Sequence, residues 1–472
     1  MTQTTSSTAS PGVSEIDTSS RCALSFLIVA SLLWLVTGGV LALLNLLQTH
    51  TPGFLADCFL FTHGRLDAMQ ETALVYGWAG NAGIAVALWL LSRLAGSALR
   101  GTNYLVAGAL FWNIGVKLGV YGIAFGDMTS FSLMQMPDYV QPLMLVAYAL
   151  MAAPGVLAWT GRRNDSTFAT QWYAIAALFL FPWFFSAAQV MLLFAPVRGT
   201  LQSVVSTWYA QNLFSLWMAP LAIAALYYLV PKIRGKVMPN YDFAIYGFWS
   251  LIIFGTWTGG RHLIGGPVPA WIPSVALGAG VLVLFHHMIV YLNMSGIGGS
   301  GGVVMKLAKY GFYAYILSGV VDALFSFRGL AEITQFTLFQ EAQWQLALAS
   351  FSLITFAALY YLVPRISGAV WPSSGLVRGH YLATILGYAV LVVSLGVGGW
   401  LQGSALNDPE ISFEAIAALY RPWLLVASAA QALLLVGNLA LLVNFVRILF
   451  VRTSEAATGQ FRQPTNLEAS SS

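Results

Sequence analysis

The feature that most constrains this chain is a succession of continuously apolar stretches, divided by short segments that hold most of its charges. A helix crossing a bilayer needs about 20 such residues, and these runs reach that length. Strands of a membrane barrel are shorter and alternate apolar with polar residues, which these runs do not do. With no water in the hydrocarbon core, each backbone must satisfy its own hydrogen bonds, so the runs are helices. Charged residues make up 8% of the chain against 58% hydrophobic, whereas soluble domains run near ~25% charged. A water-facing surface cannot be made from so few charges. The expected class is therefore an all-α integral membrane protein.

Twelve spans are expected, at about 23–47, 68–92, 104–123, 140–160, 170–195, 204–230, 242–263, 271–293, 307–326, 340–362, 379–402 and 421–450. Basic residues collect in cytoplasmic loops. With the N-terminus inside, Arg93, Arg100, Arg162, Arg163, Lys232, Arg234 and Lys236 all fall inside, with most of the remaining basic residues. Only Arg65, Arg198, Arg328 and Arg421 fall outside. This asymmetry needs an even helix count and places both termini in the cytoplasm. The net charge of +4 reflects that inner basic rim, not nucleic-acid binding. The segments 1–21 and 453–472 read as disordered cytoplasmic tails around a single membrane domain, 22–452. No cleavable leader is evident. Cys22 and Cys58 flank the first span at opposite faces, out of disulfide reach.

One stretch occurs twice: Ala224 to Pro231 reads A-A-L-Y-Y-L-V-P, and Ala357 to Pro364 repeats it. It reads either as a convergent helix end, with interfacial Tyr and a terminating Pro, or as the trace of a duplication.

Polar side chains inside a membrane are costly and mark function or interhelical contact. Four spans bring them to one outer layer: Gln70 and Glu71, Gln211 and Asn212, Arg261 and His262, and Glu341, Gln343 and Gln345. Lys117 and Asp322 also lie within spans and need partners or water. Each residue has a plainer reading as an interface or structural group; four spans agreeing on one depth weakens it. His286 and His287 are adjacent, so they point about 100° apart on a helix and rarely share a metal.

Several motifs resemble subunit I of the haem-copper oxidase superfamily, closest to the cbb3-type catalytic subunit. They are Gly64-Arg65-Leu66, Trp208-Tyr209-Ala210-Gln211-Asn212, and Trp257-Thr258-Gly259-Gly260-Arg261-His262 followed by Pro269 and Trp271. Tyr360 to Arg365, His380 to Thr384 and Gly398 to Gly403 complete the set. The resemblance implies a twelve-helix bundle in a bacterial inner membrane. It also implies six ligating histidines for haem b, a second high-spin haem and copper.

At the positions the resemblance assigns, this chain carries Gln70, Glu341 and Gln343 for haem ligands. It carries Gln211 and Arg261 for copper ligands, with His262 retained. The family's redox tyrosine falls near Gly255. A low-spin haem needs strong axial nitrogen donors, and a copper site needs imidazoles. The expectation is thus a chain without cofactor or metal. Arg261 and Glu341 are expected to pair within a polar network, and bulky groups such as Trp344, or lipid, quinone or another ligand, to fill the vacated volume. Three functions stand open. The first is a non-catalytic scaffold docking cytochrome c-type or dehydrogenase subunits. The second is an ion or proton transporter using the polar layer. The third is a divergent terminal oxidase or nitric-oxide reductase with non-standard ligands.

Overall fold

Among the described residues, ten helices are long and apolar enough to cross a membrane. The computed structural model describes residues 13–163, 166–297 and 301–458, and no strand occurs among them. A short helix α1 (Val13–Ser19) precedes α2 (Arg21–His50). Then come α3 (His63–Ala95), α4 (Thr102–Phe125), α5 (Val140–Thr160), α6 (Ala169–Phe194) and α7 (Leu201–Arg234). The short α8 (Ala244–Gly255) follows, with α9 (Trp271–Met294), α10 (Gly302–Leu324) and the short α11 (Arg328–Thr334). The chain closes with α12 (Leu338–Ser367), α13 (Ser374–Leu406) and α14 (Phe413–Thr458).

Two expected spans fall outside the ten. The stretch 242–263 becomes the 12-residue α8 and a separate tight turn, Thr258–Leu263. Gly259 shows why the turn lies where it does: a Cβ there would come closer than 3.0 Å to the Thr207 backbone of α7. The stretch 307–326 lies in α10, which keeps full spanning length but carries Lys306, Lys309 and Asp322. At the ends, Val13–Ser19 is helical within a segment expected to be a tail, and α14 runs to Thr458. The remainder of both tails lies outside the described residues.

Burial sorts the helices into a centre and a ring. The apolar window of α3 is 100% buried, that of α12 94% and that of α7 83%, against 39–50% for the other seven. The ring helices turn Leu, Val and Phe outward, as lipid allows. The central three carry Gln70, Gln211 and Glu341, so the most enclosed elements hold the polar layer.

The repeated octapeptide closes α7 and α12. Tyr228 and Tyr361 are buried, with ring centroids 6.1 Å apart, and both pack on Trp89 of α3, at 5.4 and 6.0 Å. They are therefore core residues, not a lipid-facing belt. Pro231 and Pro364 do not end their helices, which continue to Arg234 and Ser367. Termination comes from Gly235 and Gly368, both left-handed at φ 63° and 70°, where a residue without Cβ is favoured.

Candidate polar site between the central helices

Most of the sequence-predicted polar residues divide between two cavities rather than forming one network. The first cavity, about 160 Å³, lies among α7, the Thr258–Leu263 turn, α9, α10 and α12. It is lined by Gln211, Arg261, His262, Gln343 and Trp344, together with Asp322 and His287. Arg261 is the hub. Its Nη2 lies 3.1 Å from Asp322 Oδ1 and donates to Gln211 Oε1 at 3.3 Å, while its Nε donates to His262 Nε2 at 3.2 Å. The expected Arg261–Glu341 pair is corrected: Arg261 faces α10 and takes Asp322, while Glu341 opens on the other cavity. The reason is rotational. Glu341 sits in the first turn of α12, whose Gln343 and Trp344 face the first cavity while Glu341 and Gln345 turn toward α3. Trp344 packs edge-on against Phe214, with centroids 4.6 Å apart, and closes one wall.

The second cavity, about 330 Å³, lies among α2, α3, α12, α13 and α14. Here Asn45 Nδ2 and Gln70 Nε2 both donate to Asp67 Oδ1, at 3.1 and 2.8 Å, and Gln345 Nε2 donates to Glu341 Oε1 at 2.9 Å. Glu71, beside Gln70, belongs to neither lining and accepts from Gln135 Nε2 at 2.5 Å. Asn212 is fully buried, and neither polar atom of its amide finds a partner. Sequence reading passed over Asp67 and Gln135. An Asp three residues before a buried Gln on one helix face was the available signal for Asp67. Nothing in the sequence singles out Gln135, which lies in a loop.

The backbone departs from a regular helix next to these residues. A π-helical stretch, Ala73–Gly80, follows Glu71–Thr72, and another, Leu213–Met218, follows Asn212. Such wide turns are frequent at functional sites. The second frees Gln211 O to accept from Ser215 Oγ at 3.0 Å, and the same hydroxyl lies 3.2 Å from Gly255 O on α8. The histidine pair behaves as its spacing implies. The rings stand at 83°; His286 bridges Gly247 O at 2.9 Å and Tyr315 Oη at 2.8 Å, and His287 bonds Val283 O at 3.1 Å. No cluster of three or more His, Cys, Asp or Glu suited to a metal occurs among the described residues. Lys117 stands exposed on α4, apart from both cavities.

With this geometry in place, the chain compares as follows. The family described as Cytochrome C and Quinol oxidase polypeptide I matches residues 22–433. A cytochrome c oxidase subunit 1 homolog of Azorhizobium caulinodans is 22% identical, over 91% of this chain and 82% of the relative. The cbb3-type cytochrome c oxidase subunit CcoN1 of Stutzerimonas stutzeri is 23% identical, over 88% of this chain and 92% of its own. A solved heme-copper terminal oxidase dimer shares the fold, with a TM-score of 0.68 over 90% of this chain and 84% of that one, at 14% identity.

These matches overturn the expectation that the chain carries no haem and no copper. The matching family is that of the oxidases, and the solved neighbour is a heme-copper enzyme. The six positions that the resemblance assigns are divided between the two cavities. His262 is the single imidazole among them, and its Nε2 is taken up by Arg261.

Proposed function

Because this chain belongs to the Cytochrome C and Quinol oxidase polypeptide I family, we propose that it is the subunit I-like membrane core of a bacterial respiratory complex, acting as the scaffold on which a cytochrome c-type or dehydrogenase subunit docks. The observation that carries this reading is the Arg261–Asp322 pair, held in the cavity to which the resemblance assigns the family's metal centre. An ion pair with Gln211 and His262 on its flank is a structural lock. It holds α7, α10 and the Thr258–Leu263 turn in one arrangement, which suits a docking platform. In this reading Ala244–Leu263 and Gly302–Leu324 are two further crossings, giving twelve in all. Both termini then lie on the cytoplasmic side of the bacterial inner membrane.

The test is purification of the tagged full-length chain from its native membranes in mild detergent, with subunits and c-type haem quantified per chain. A redox subunit at fixed stoichiometry is the expected result. A chain that purifies alone and reduces oxygen by itself with reduced cytochrome c would overturn the scaffold role.

A further inference from the structure

Lys117 is a charge in the wrong place for a lipid-facing surface. It lies on the outward face of α4, exposed, in line with Leu110, Ile114 and Tyr121, which are 47%, 46% and 61% exposed. The opposite face of α4 is used up. Gly115 and Gly119 bring Met144 and Met136 close, and Gly122 does the same for Pro137. No hydrogen bond or ion pair reaches the Lys117 ammonium among the described residues.

Snorkelling to water does not solve the problem. At 1.5 Å per residue, Lys117 lies roughly 22 Å from the start of α4 and roughly 12 Å from its end. The Cα–Cβ bond of a helical residue tilts toward the helix N-terminus, so this side chain leaves toward the more distant face. A bare ammonium in hydrocarbon is costly, and intramembrane charges are normally paired.

We propose that the α4 face centred on Lys117 is a docking site for a transmembrane helix of a different subunit, which presents an Asp or Glu to the ammonium. This rests on the scaffold reading and names where a partner sits. A second copy of this chain is a poor fit. The carboxylates in the interior of its spans are all engaged inward: Asp67 with Asn45 and Gln70, Glu71 with Gln135, Asp322 with Arg261, and Glu341 with Gln345. The flanking Leu110, Ile114 and Tyr121 supply the apolar surface a partner helix packs on, with small or branched side chains facing them.

The experiment places a photo-crosslinking benzoylphenylalanine at Tyr121 in the full-length chain, in native membranes, with a control at Val436 on the exposed face of α14. The expected adduct maps by mass spectrometry to a spanning helix of another subunit containing Asp or Glu. Lys117→Glu lowers its yield by roughly tenfold, Lys117→Arg keeps it, and exchanging the partner's carboxylate for Lys restores it in the Lys117→Glu background. Native-gel migration and expression of the Lys117 variants show that they fold. Adducts to lipid only, to a second copy, or to a helix with no carboxylate overturn the proposal, as does a yield indifferent to Lys117→Glu. If a redox subunit still co-purifies at fixed stoichiometry in those cases, the scaffold reading stands and this docking face alone fails.

Discussion

Arg261 and Asp322 face each other at 3.1 Å, the one from a tight turn after α8 and the other from the end of α10. Their side chains are 9% and 25% exposed, so the Arg261 guanidinium above all has little but its partner to answer its charge. Such a pair adds little net stability over apolar residues of the same shape, but breaking it leaves one charge uncompensated. Asp322→Ala should therefore destabilise the fold by about 3 kcal/mol. The double variant Arg261→Met with Asp322→Leu should recover much of that loss. Thermal melting in detergent of the three variants decides it: equal melting of the native chain and Asp322→Ala would mean that the pair holds nothing.

A second polar cluster ties α2, α3 and α4 together. Asn113 Nδ2 donates to Asn81 Oδ1 at 2.9 Å, and Trp34 Nε1 and Asn81 Nδ2 donate to Asn113 Oδ1 at 2.8 and 3.2 Å. Interhelical hydrogen bonds in membranes contribute about 0.6–2 kcal/mol each. Asn113→Ala should cost about 2 kcal/mol, because it strands the Trp34 Nε1 donor and the Asn81 Oδ1 acceptor, while Asn81 Nδ2 keeps Gly77 O at 2.7 Å. Asn113→Asp should fare worse at neutral pH. Chemical unfolding in mixed micelles reads both, and an unchanged midpoint for Asn113→Ala would refute the link.

The crossing of α13 over α11 and the start of α12 depends on missing side chains. A Cβ on Gly399 would come closer than 3.0 Å to the Phe339 backbone, and one on Gly403 would collide with Ile333 O. Backbone atoms cannot rotate aside as a side chain can, so Gly403→Ala should cost at least about 2 kcal/mol and separate the helices. Gly379→Ala on the same helix meets nothing within 4 Å and serves as the comparison, with an expected gain in melting temperature from better helix propensity. Equal melting of the two variants would show that the crossing is looser than drawn.

The pH dependence of docking α1 follows from Asp17, which lies outside the spans. It is 5% exposed, and its two oxygens face Trp89 Nε1 and Arg93 Nη1, each at 3.0 Å. Burial pushes its carboxyl above the ordinary value of 3.8. The Arg93 charge, the Trp89 hydrogen bond and the Arg365 charge pull the other way without reversing the shift. The folded chain then holds the proton more tightly than the unfolded one. The contribution of Asp17 is fullest below its ordinary pKa and declines as pH rises through the raised one. Relative to the Asp17→Asn variant, which does not titrate there, the native chain should lose melting temperature from pH 4 upward. A native chain that gains on the variant over that window would contradict the assignment.

Much of the architecture was legible in the residues. Ten spans could be located because length and apolarity alone decide whether a segment tolerates hydrocarbon, and the family was visible in motifs such as Trp257 to His262. The Gln345–Glu341 hydrogen bond has a spacing of one helical turn, but the sequence reading assigns Glu341 to Arg261. Less legible were the stretches Ala244–Leu263 and Gly302–Leu324, read as spans in the sequence but outside the ten. There a broken helix and three charges, Lys306, Lys309 and Asp322, weaken the hydropathy signal.

The sequence by itself determined that this is a helical membrane protein with buried charge, because each span answers to lipid one helix at a time. Which charges meet was decided only by tertiary structure. Arg261 chooses Asp322 over Glu341 because helix rotation sets which side of α12 faces which cavity, and no spacing along the chain encodes that angle. The same rotation turns Tyr228 and Tyr361 inward onto Trp89 while leaving Lys117 outside. Both outcomes come from packing, a relation between helices that no single helix contains.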